Sequence, residues 1–194
     1  MSDVHSRDRA GPTAADSDAI SVLLVDDDED FVALASTLLE AESDRIETTT
    51  ETRPADALDR VDLDAIDCIV SDYRMPKMDG IEFLETIRAD YPELPFILFT
   101  GKGDEEVAKQ AISADVSDYM VKDGSAEQYA ISATRIENLV DQYRTRQRSH
   151  HRQRLDALSQ RVVEAVLTEP TADAIEQAVC DCFVAECYGA AWIG

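Results

Sequence analysis

Between residues 20 and 121, short apolar runs alternate with segments in which apolar residues recur every three or four positions. The runs predict β-strands at residues 21–26, 45–50, 66–71, 95–99 and 117–121. The segments between them predict helices at residues 29–42, 54–61, 80–89 and 104–113. Strands that alternate with helices are typical of an α/β protein with a doubly wound parallel sheet, here of five strands.

A helical pattern that begins at Ser125 continues past the length that a sheet could cover. Its later apolar residues keep the same spacing and are Leu155, Leu158, Val162 and Ala165. We therefore expect residues 144–168 to leave the domain as a linker helix in a coiled coil, and the chain to form a homodimer through it.

The two ends of the chain lack the pattern of the sheet region. Residues 1–19 are polar and irregular, which predicts a disordered tail. Glu169-Pro170 is expected to end the linker helix, and Thr171 to cap another one. The final segment, 190–194, is predicted to be the first strand of a further domain, so that residues 169–194 form only part of a C-terminal module.

The chain carries 41 acidic and 18 basic residues, a formal net charge of −23. This charge disfavours nucleic acid and anionic membranes, so we expect no direct DNA binding and no membrane association. Four of the bases are lysine, namely Lys77, Lys102, Lys109 and Lys122. An acid-rich, lysine-poor composition indicates a halophile, where concentrated salt screens self-repulsion; the alternative is an ordinary acidic cytosolic protein.

The arginines and cysteines near the C-terminus have two readings each. The segment from Arg144 to Arg161 holds six arginines and one acid. We interpret these arginines as a solvated helix face, and the alternative is a binding patch. No helix-turn-helix pattern follows residue 144, which disfavours a DNA-binding regulator. Cys180, Cys182 and Cys187 could bind a metal, although their spacing is not a standard zinc pattern.

No apolar run approaches the roughly 20 residues of a membrane span, and the N-terminus has no apolar signal core. These features predict a cytoplasmic protein. Cys68 lies in a predicted buried strand, where a small inert thiol is expected.

Polar side chains stand where four of the predicted strands end. They are Asp26 and Asp27 at the first strand, Asp72 at the third, Thr100 at the fourth and Lys122 at the fifth. The carboxyl ends of parallel strands meet at one edge of the sheet, so we expect these side chains to converge. Converging carboxylates need a proton or a cation, and their oxygens suit Mg²⁺.

Such an edge can carry out phosphoryl chemistry. A carboxylate can accept a phosphoryl group as an acyl phosphate, while Thr100 hydrogen-bonds a phosphate oxygen and Lys122 pairs with another. Gly80 is expected to let the loop after the third strand turn sharply. Each residue alone could be a helix cap, a turn or a surface lysine, but their arrangement on different strands favours the phosphoryl site.

The residues of this edge resemble the receiver domain of two-component response regulators, over about residues 20–143. The motifs are Val22-Leu23-Leu24-Val25-Asp26-Asp27, Asp72 with Met75-Pro76-x-x-Asp79-Gly80, Phe99-Thr100-Gly101 and Asp118-Tyr119-x-x-Lys122. The resemblance implies a flavodoxin-like fold and a signalling switch that is no enzyme beyond its own phosphorylation and dephosphorylation.

The resemblance also implies roles for individual residues. Asp72 would accept the phosphoryl group of a histidine kinase. Asp27, Asp72 and the backbone carbonyl of Arg74 would bind Mg²⁺ directly, and Asp26 would hold it mainly through water. Thr100 and Lys122 would contact the phosphoryl group.

The readout implied by the family involves Tyr119, which would change rotamer when Thr100 moves. The change would then pass along the helix that begins at Ser125 to the C-terminal module. Arg74 and Lys102 stand where the family tunes its dephosphorylation rate.

Asp123-Gly124 departs from the family pattern, in which proline often follows the lysine. It places a negative charge beside the phosphate site and resembles haloarchaeal receivers. Residues 155–194 resemble a linker helix and the start of a GAF-type sensor domain.

The strongest alternative is a haloacid-dehalogenase-like phosphatase with Asp26 as nucleophile and Asp28 as general acid. A helix that begins directly after Asp28 would leave no room for the hairpin flap of that family. The alternative also leaves Asp72 without a role.

Overall fold

Five parallel strands form one sheet: β1 (Ile20–Val25), β2 (Ile46–Glu51), β3 (Cys68–Asp72), β4 (Phe96–Thr100) and β5 (Asp118–Val121). Their order is β2-β1-β3-β4-β5, so the chain reverses direction across the sheet between β2 and β3. The computed structural model describes residues 18–101, 110–111, 114–122, 124–168 and 171–191. The predicted five-stranded parallel sheet is confirmed, and every strand boundary lies within two residues of its prediction.

The helices are α1 (Glu29–Glu42), α2 (Pro54–Arg60), α3 (Gly80–Asp90), α4 (Ala126–Thr168) and α5 (Ala172–Ala191). Local chemistry explains where they begin: Asp28 caps α1, and Pro54 occupies the first turn of α2. Asp79 and Glu82 form a reciprocal capping box at α3. Of the helix predicted at 104–113, only residues 110 and 111 are described, and they are helical.

β3 begins two residues later than predicted, at Cys68 instead of Ile66. The reason is a short 3-10 turn at Leu63–Ala65, which places the Ile66 N–H on the carbonyl of Leu63 at 3.2 Å. Ile66 is apolar and buried, but its backbone belongs to this turn and not to the sheet ladder.

The sheet is covered on both faces, as the uniformly apolar strands predict. On one face α1 and α4 pack on alternate strand residues that include Val22, Val70 and Phe99. On the other face α2 and α3 pack on the intervening residues, which include Ile69 and Leu98. The central strands therefore have both of their faces buried, and the open edges for chemistry are the strand ends.

α4 is a single helix of 43 residues, about 65 Å long at the usual helical rise. Its first part covers the sheet through the buried residues Tyr129, Ala133, Ile136 and Val140. α5 packs against α4, and the Thr171 hydroxyl accepts the N–H of Ala174 at 3.3 Å, which confirms the predicted cap. The long helix is thus confirmed.

The predicted strand at 190–194 is wrong for its first two residues, because Ala190 and Ala191 lie in α5. Alanine has the highest helix propensity, so the helix that starts at Ala172 continues through them. Residues 192–194 and 1–17 lie outside the described residues. Within the described residues, no helix has both the length and the apolar character needed to cross a membrane.

The N-terminal end of the described chain is anchored at residues 18 and 19. The Asp18 carbonyl accepts a hydrogen bond from Arg45 at 3.2 Å, and the Ala19 carbonyl accepts one from Arg144 at 2.6 Å. These last two residues of the predicted tail therefore lie against the domain.

Candidate functional site

The structure brings Asp26, Asp72, Thr100 and Lys122 to the carboxyl edge of the sheet, as their places at the strand ends predict. Asp26 directly follows β1, and Asp72 and Thr100 are the last residues of β3 and β4. Lys122 directly follows β5, and its backbone N–H donates to the Thr100 backbone carbonyl at 2.6 Å. Because β3 lies between β1 and β4, Asp72 occupies the centre of this edge.

The ammonium of Lys122 lies between two carboxylates. Its Nζ is 2.5 Å from Asp26 Oδ2 and 2.6 Å from Asp72 Oδ1. The side chains of Asp26, Asp72 and Lys122 are only 6%, 10% and 20% exposed. The sequence interpretation expected the acids to converge on a cation; in this structure the cation between Asp26 and Asp72 is the lysine itself.

The second oxygen of each carboxylate accepts a backbone N–H. Asp26 Oδ1 accepts from Asp28 at 3.0 Å, and Asp72 Oδ2 accepts from Arg74 at 2.7 Å. These bonds fix the two carboxyl planes from the loops that leave β1 and β3. Asp72 is thus presented by the end of a rigid central strand and oriented from both of its oxygens.

Burial raises the pKa of the Asp26 carboxyl, because desolvation disfavours its charged form, and hydrogen bonds from Lys122 and the Asp28 N–H offset this only in part. Burial by itself lowers the pKa of Lys122, but its hydrogen bonds to Asp26 and Asp72 outweigh burial and hold the pKa above that of an ordinary lysine. Lys122 therefore stays charged at neutral pH and offsets the charge of the buried acids.

Asp27 and Asp28 have different surroundings from Asp26, although the three are consecutive. Both are exposed. Asp28 Oδ1 accepts the N–H groups of Asp30 and Phe31, each at 3.1 Å, so its carboxylate is committed to the start of α1. With α1 beginning at Glu29, a general acid at residue 28 and a flap after it, as the phosphatase alternative requires, have no place.

The donor atoms of this edge are carboxylate and carbonyl oxygens, the type that Mg²⁺ prefers. Among the residues that the structure describes, no three acidic, histidine or cysteine side chains are arranged to hold a metal, and this includes Asp26, Asp27 and Asp72. The donor type fits Mg²⁺, but the described arrangement neutralises Asp26 and Asp72 with Lys122 instead. Cys180 is exposed and Cys182 is buried on α5, so these two also form no described metal group.

Thr100 and Tyr119 are already in contact. Thr100 is 1% exposed, and its hydroxyl donates to the Tyr119 hydroxyl at 3.0 Å. Tyr119 is half-buried in β5. The two residues that are predicted to move together are therefore joined by a direct hydrogen bond.

Gly80 meets a different requirement from the predicted sharp turn. Its φ is not in the left-handed region; the residue in this loop with a positive φ is Lys77, at 75°. A Cβ at position 80 would lie 2.4 Å from the carbonyl oxygen of Asp72 and 2.7 Å from Leu98 Cδ1. Glycine allows α3 to approach the end of β3 and thereby sets the loop that carries Arg74.

The sequence pattern does not indicate two side chains that contact Lys122 or the backbone on either side of it. The Phe31 ring centroid lies 4.3 Å from Lys122 Nζ, whereas the sequence pattern indicates only that residue 31 falls in the helix predicted at residues 29–42. Gln128 accepts the Gly124 N–H and donates to the Val121 carbonyl, both at 3.0 Å, so it braces the segment after Lys122. Asp123, expected beside the phosphate site, and Lys102, expected where the family tunes its dephosphorylation rate, lie outside the described residues.

A parallel sheet of order 2-1-3-4-5 with acids, a hydroxyl and a lysine at its carboxyl edge defines a receiver-type signalling domain. The chain belongs to the response regulator receiver domain family, whose model matches residues 22–133. The predicted family is therefore confirmed.

Two proteins that are similar in sequence to this chain are named as regulators. The C4-dicarboxylate transport transcriptional regulatory protein DctD of Rhizobium meliloti (strain 1021) is 36% identical over 121 residues, which are 62% of this chain and 26% of that protein. The response regulator SaeR of Staphylococcus aureus (strain USA300) is 31% identical over 138 residues, 71% of this chain and 56% of that protein. The chain thus spans about a quarter of the first relative and just over half of the second.

Solved structures agree with the fold. A response regulator receiver domain protein from Clostridium thermocellum superposes with a TM-score of 0.57 at 25% identity, over 63% of this chain and 95% of that one. NtrX from Brucella abortus, in complex with ADP, gives a TM-score of 0.60 at 26% identity, over 74% of this chain and 33% of that one.

Proposed function

We propose that this chain is the phosphoacceptor of a two-component phosphorelay, in which Asp72 takes a phosphoryl group from a histidine kinase. The observation that carries the proposal is the Asp72 carboxylate at the centre of the strand-end edge, 2.6 Å from Lys122 Nζ and 2.7 Å from the Arg74 N–H. Both contacts place positive charge or a donor where phosphoryl oxygens would need it.

In the proposed step, an Asp72 oxygen attacks the phosphorus of a phosphohistidine. An O–P bond forms as the P–N bond breaks, and the imidazole nitrogen keeps the electron pair and takes a proton. Hydrolysis reverses the modification, because water attacks the phosphorus, the O–P bond breaks, and the Asp72 carboxylate and inorganic phosphate are released. Lys122 pairs with the added charge throughout.

Mg²⁺ is the proposed cofactor, and when bound it would neutralise charge on the phosphoryl oxygens. Asp27, Asp72 and the backbone carbonyl of Arg74 would hold it, with Asp26 acting mainly through water. In support of this, Asp27 is exposed beside the edge, and the donors are oxygens. Lys122 would then give up its contact with Asp26 and keep the one with Asp72.

The proposed readout starts at the hydrogen bond between Thr100 and Tyr119. A phosphoryl group on Asp72 offers the Thr100 hydroxyl a charged acceptor, which is stronger than the neutral phenol that it donates to at 3.0 Å. Exchange of that partner would release Tyr119 and alter the surface of β5 and α4. α4 would carry the change along its length to the C-terminal module, whose GAF character and output remain part of the proposal.

We also propose that the chain dimerises through the C-terminal part of α4. Its support is a set of apolar residues that are about half exposed or more: Leu155, Val163, Val166 and Leu167 at 52%, 52%, 49% and 78%. These residues recur at helical spacing, so one face of the helix is apolar and open to a partner.

The acidic composition sets the conditions of the test. A halophilic protein of charge −23 would need molar salt to screen its self-repulsion, so the assays belong in high salt.

The deciding experiment is acyl-phosphate formation by the full chain with Mg²⁺ and radiolabelled acetyl phosphate. We expect base-labile label in the wild type and in Asp26→Asn at a reduced level, and none in Asp72→Asn. Label that persists in Asp72→Asn but disappears in Asp26→Asn would overturn the proposal in favour of the phosphatase. An unlabelled wild type would refute a working phosphoacceptor.

A further inference from the structure

Two phenylalanine rings lie close to the ammonium of Lys122. Phe31, in the first turn of α1, and Phe99, in β4, pack with ring centroids 5.9 Å apart at an interplanar angle of 56°. Lys122 Nζ lies 4.3 Å from the Phe31 centroid and 6.0 Å from that of Phe99. A cation at 4.3 Å from a ring centroid is within the range of a cation–π interaction.

The position of the Phe31 ring is set by the start of α1. The Phe31 N–H donates to the capping carboxylate Asp28 at 3.1 Å, and the side chain is half-buried against the core. Phe99 is 5% exposed and directly precedes Thr100. Phe31 is therefore held by the start of α1, and Phe99 by the strand that ends in Thr100.

Lysine has a flexible stem with four methylene groups, so charge alone does not fix where its ammonium lies. Two carboxylates contact Lys122 Nζ here, and the Phe31 ring supplies a third, uncharged contact. The ring keeps its attraction when the charge or the coordination of the carboxylates changes. A phosphoryl group on Asp72, or any ligand on Asp26, would alter the carboxylate contacts but leave the ring in place.

We infer that Phe31 is a positioning residue, whose ring face holds the Lys122 ammonium beside Asp72, and that Phe99 supports the ring from behind. The consequence for phosphorylation rests on the proposed function, while the positioning of Lys122 does not. An aliphatic residue at position 31 fills similar space but offers no negative ring face, and an aromatic one does.

A double-mutant cycle on the unfolding equilibrium of the full chain tests the positioning without phosphorylation. Phe31→Leu and Lys122→Met are measured singly and together in high salt. We expect the cost of Phe31→Leu in the unfolding constant to be about two- to fivefold larger when Lys122 is present than when it is methionine. Lys122→Met also leaves Asp26 and Asp72 to repel each other. This repulsion is the same with phenylalanine or leucine at position 31, so it cancels from the coupling between the two substitutions.

The matched control is Phe83→Leu, which removes a fully buried ring that packs on Phe96 at 5.7 Å. Its cost should be the same with lysine or methionine at position 122. Phe31→Tyr keeps the ring face, so its cost should also be the same with lysine or methionine at position 122. Additive effects of Phe31→Leu and Lys122→Met would overturn the inference.

The second readout is the rate of Asp72 labelling by acetyl phosphate. We expect Phe31→Leu to slow labelling about two- to fivefold, Phe31→Tyr to restore it and Phe83→Leu to leave it unchanged. A wild type that takes label and a Phe31→Leu variant that takes it at the same rate would overturn the effect on phosphorylation. A wild type without label would refute the proposed function, and the unfolding cycle would still decide the inference.

Discussion

The two parts of α4 have similar apolar patterns and opposite surroundings. In the first part, Ile136 and Val140 are fully buried against the sheet. In the second part, Val163 and Leu167 are 52% and 78% exposed, although they belong to the same continuous helix. The periodicity of apolar residues predicts a helix in both parts, but burial depends on what lies opposite.

The first part of α4 packs on one face of the five-stranded sheet. The second part has α5 as its neighbour within the described residues. Leu158, Val162 and Ala165 are half-buried, so α5 shields part of this segment and leaves the rest open. Among the described side chains, the apolar residues of the first part are buried by the sheet, whereas several of those in the second part stay exposed. Helices in proteins gain most of their stability from packing of an apolar face, so we expect a partner surface to cover the exposed apolar residues in the second part of α4.

The largest effect should come from breaking the close packing of the receiver part. Gly80→Ala would place a Cβ 2.4 Å from the Asp72 carbonyl oxygen, and this backbone at the end of a central strand cannot yield easily. We expect the free energy of unfolding to fall by about 2–3 kcal/mol, measured by chemical denaturation in high salt.

The control for that variant is Gly101→Ala. A Cβ at position 101 would meet nothing within 4 Å, so we expect a change below about 0.5 kcal/mol. Equal costs at the two glycines would show that close approach at the end of β3 is not what position 80 requires.

The next effect concerns the exposed face of the second part of α4. If this face binds a second copy of the chain, the double variant Val163→Glu with Leu167→Glu should convert a dimer into a monomer, because it places charges in the apolar contact. Sedimentation or light scattering in high salt measures the change.

A matched control for the double variant is Leu34→Glu on α1, a residue that is 53% exposed on the receiver part. It should leave the mass unchanged. A wild type that stays monomeric at every concentration tested would exclude the proposed dimer and leave the apolar face to another partner.

The smallest effect is expected where the two parts of α4 meet. Arg144 donates to Asp67 Oδ2 and to the Ala19 carbonyl, at 2.7 and 2.6 Å, and both side chains of the pair are mostly buried, at 16% and 21% exposure. We expect Arg144→Met to cost about 1–2 kcal/mol of unfolding free energy, because Asp67 loses a charged partner. Hydrogen exchange should increase in α4 near residue 144.

Arg152→Met, at an exposed position on the same helix, is the comparison for that variant. We expect it to change stability by less than about 0.5 kcal/mol. A similar loss in both variants would mean that general arginine charge, and not the anchor on Asp67, stabilises the start of the projecting segment.

Local sequence rules predicted most of the fold and the edge that carries the site. Asp28 predicts the start of α1 because its side chain can cap a helix, and the cap lies where the acidic run indicates. Asp72 and Thr100 could be assigned to strand ends because an apolar run stops at each of them. The family resemblance on the same residues is confirmed by the match over residues 22–133.

Predictions failed where an outcome depends on atoms that are distant in sequence. Lys122 contacts Asp26 across 96 residues, and no local pattern shows that it would take the place between Asp26 and Asp72. Gly80 was assigned to a turn, while the structure assigns it to a close approach with the Asp72 backbone. Periodicity assigns Phe31 only to the helix predicted at residues 29–42, because it does not report what lies near the end of that helix.

The five strands, the helices at residues 29–42, 54–61 and 80–89, the long C-terminal helix and the strand ends that carry the polar groups could all be predicted from the sequence. These follow from periodicity and capping, which act over a few residues. Three outcomes could not be predicted in this way: Lys122 pairs with both buried carboxylates, Phe31 lies beside its ammonium, and the first part of α4 is the buried one. Those outcomes depend on the order β2-β1-β3-β4-β5, which brings residues from separate strands to one edge and leaves the end of α4 beyond the sheet.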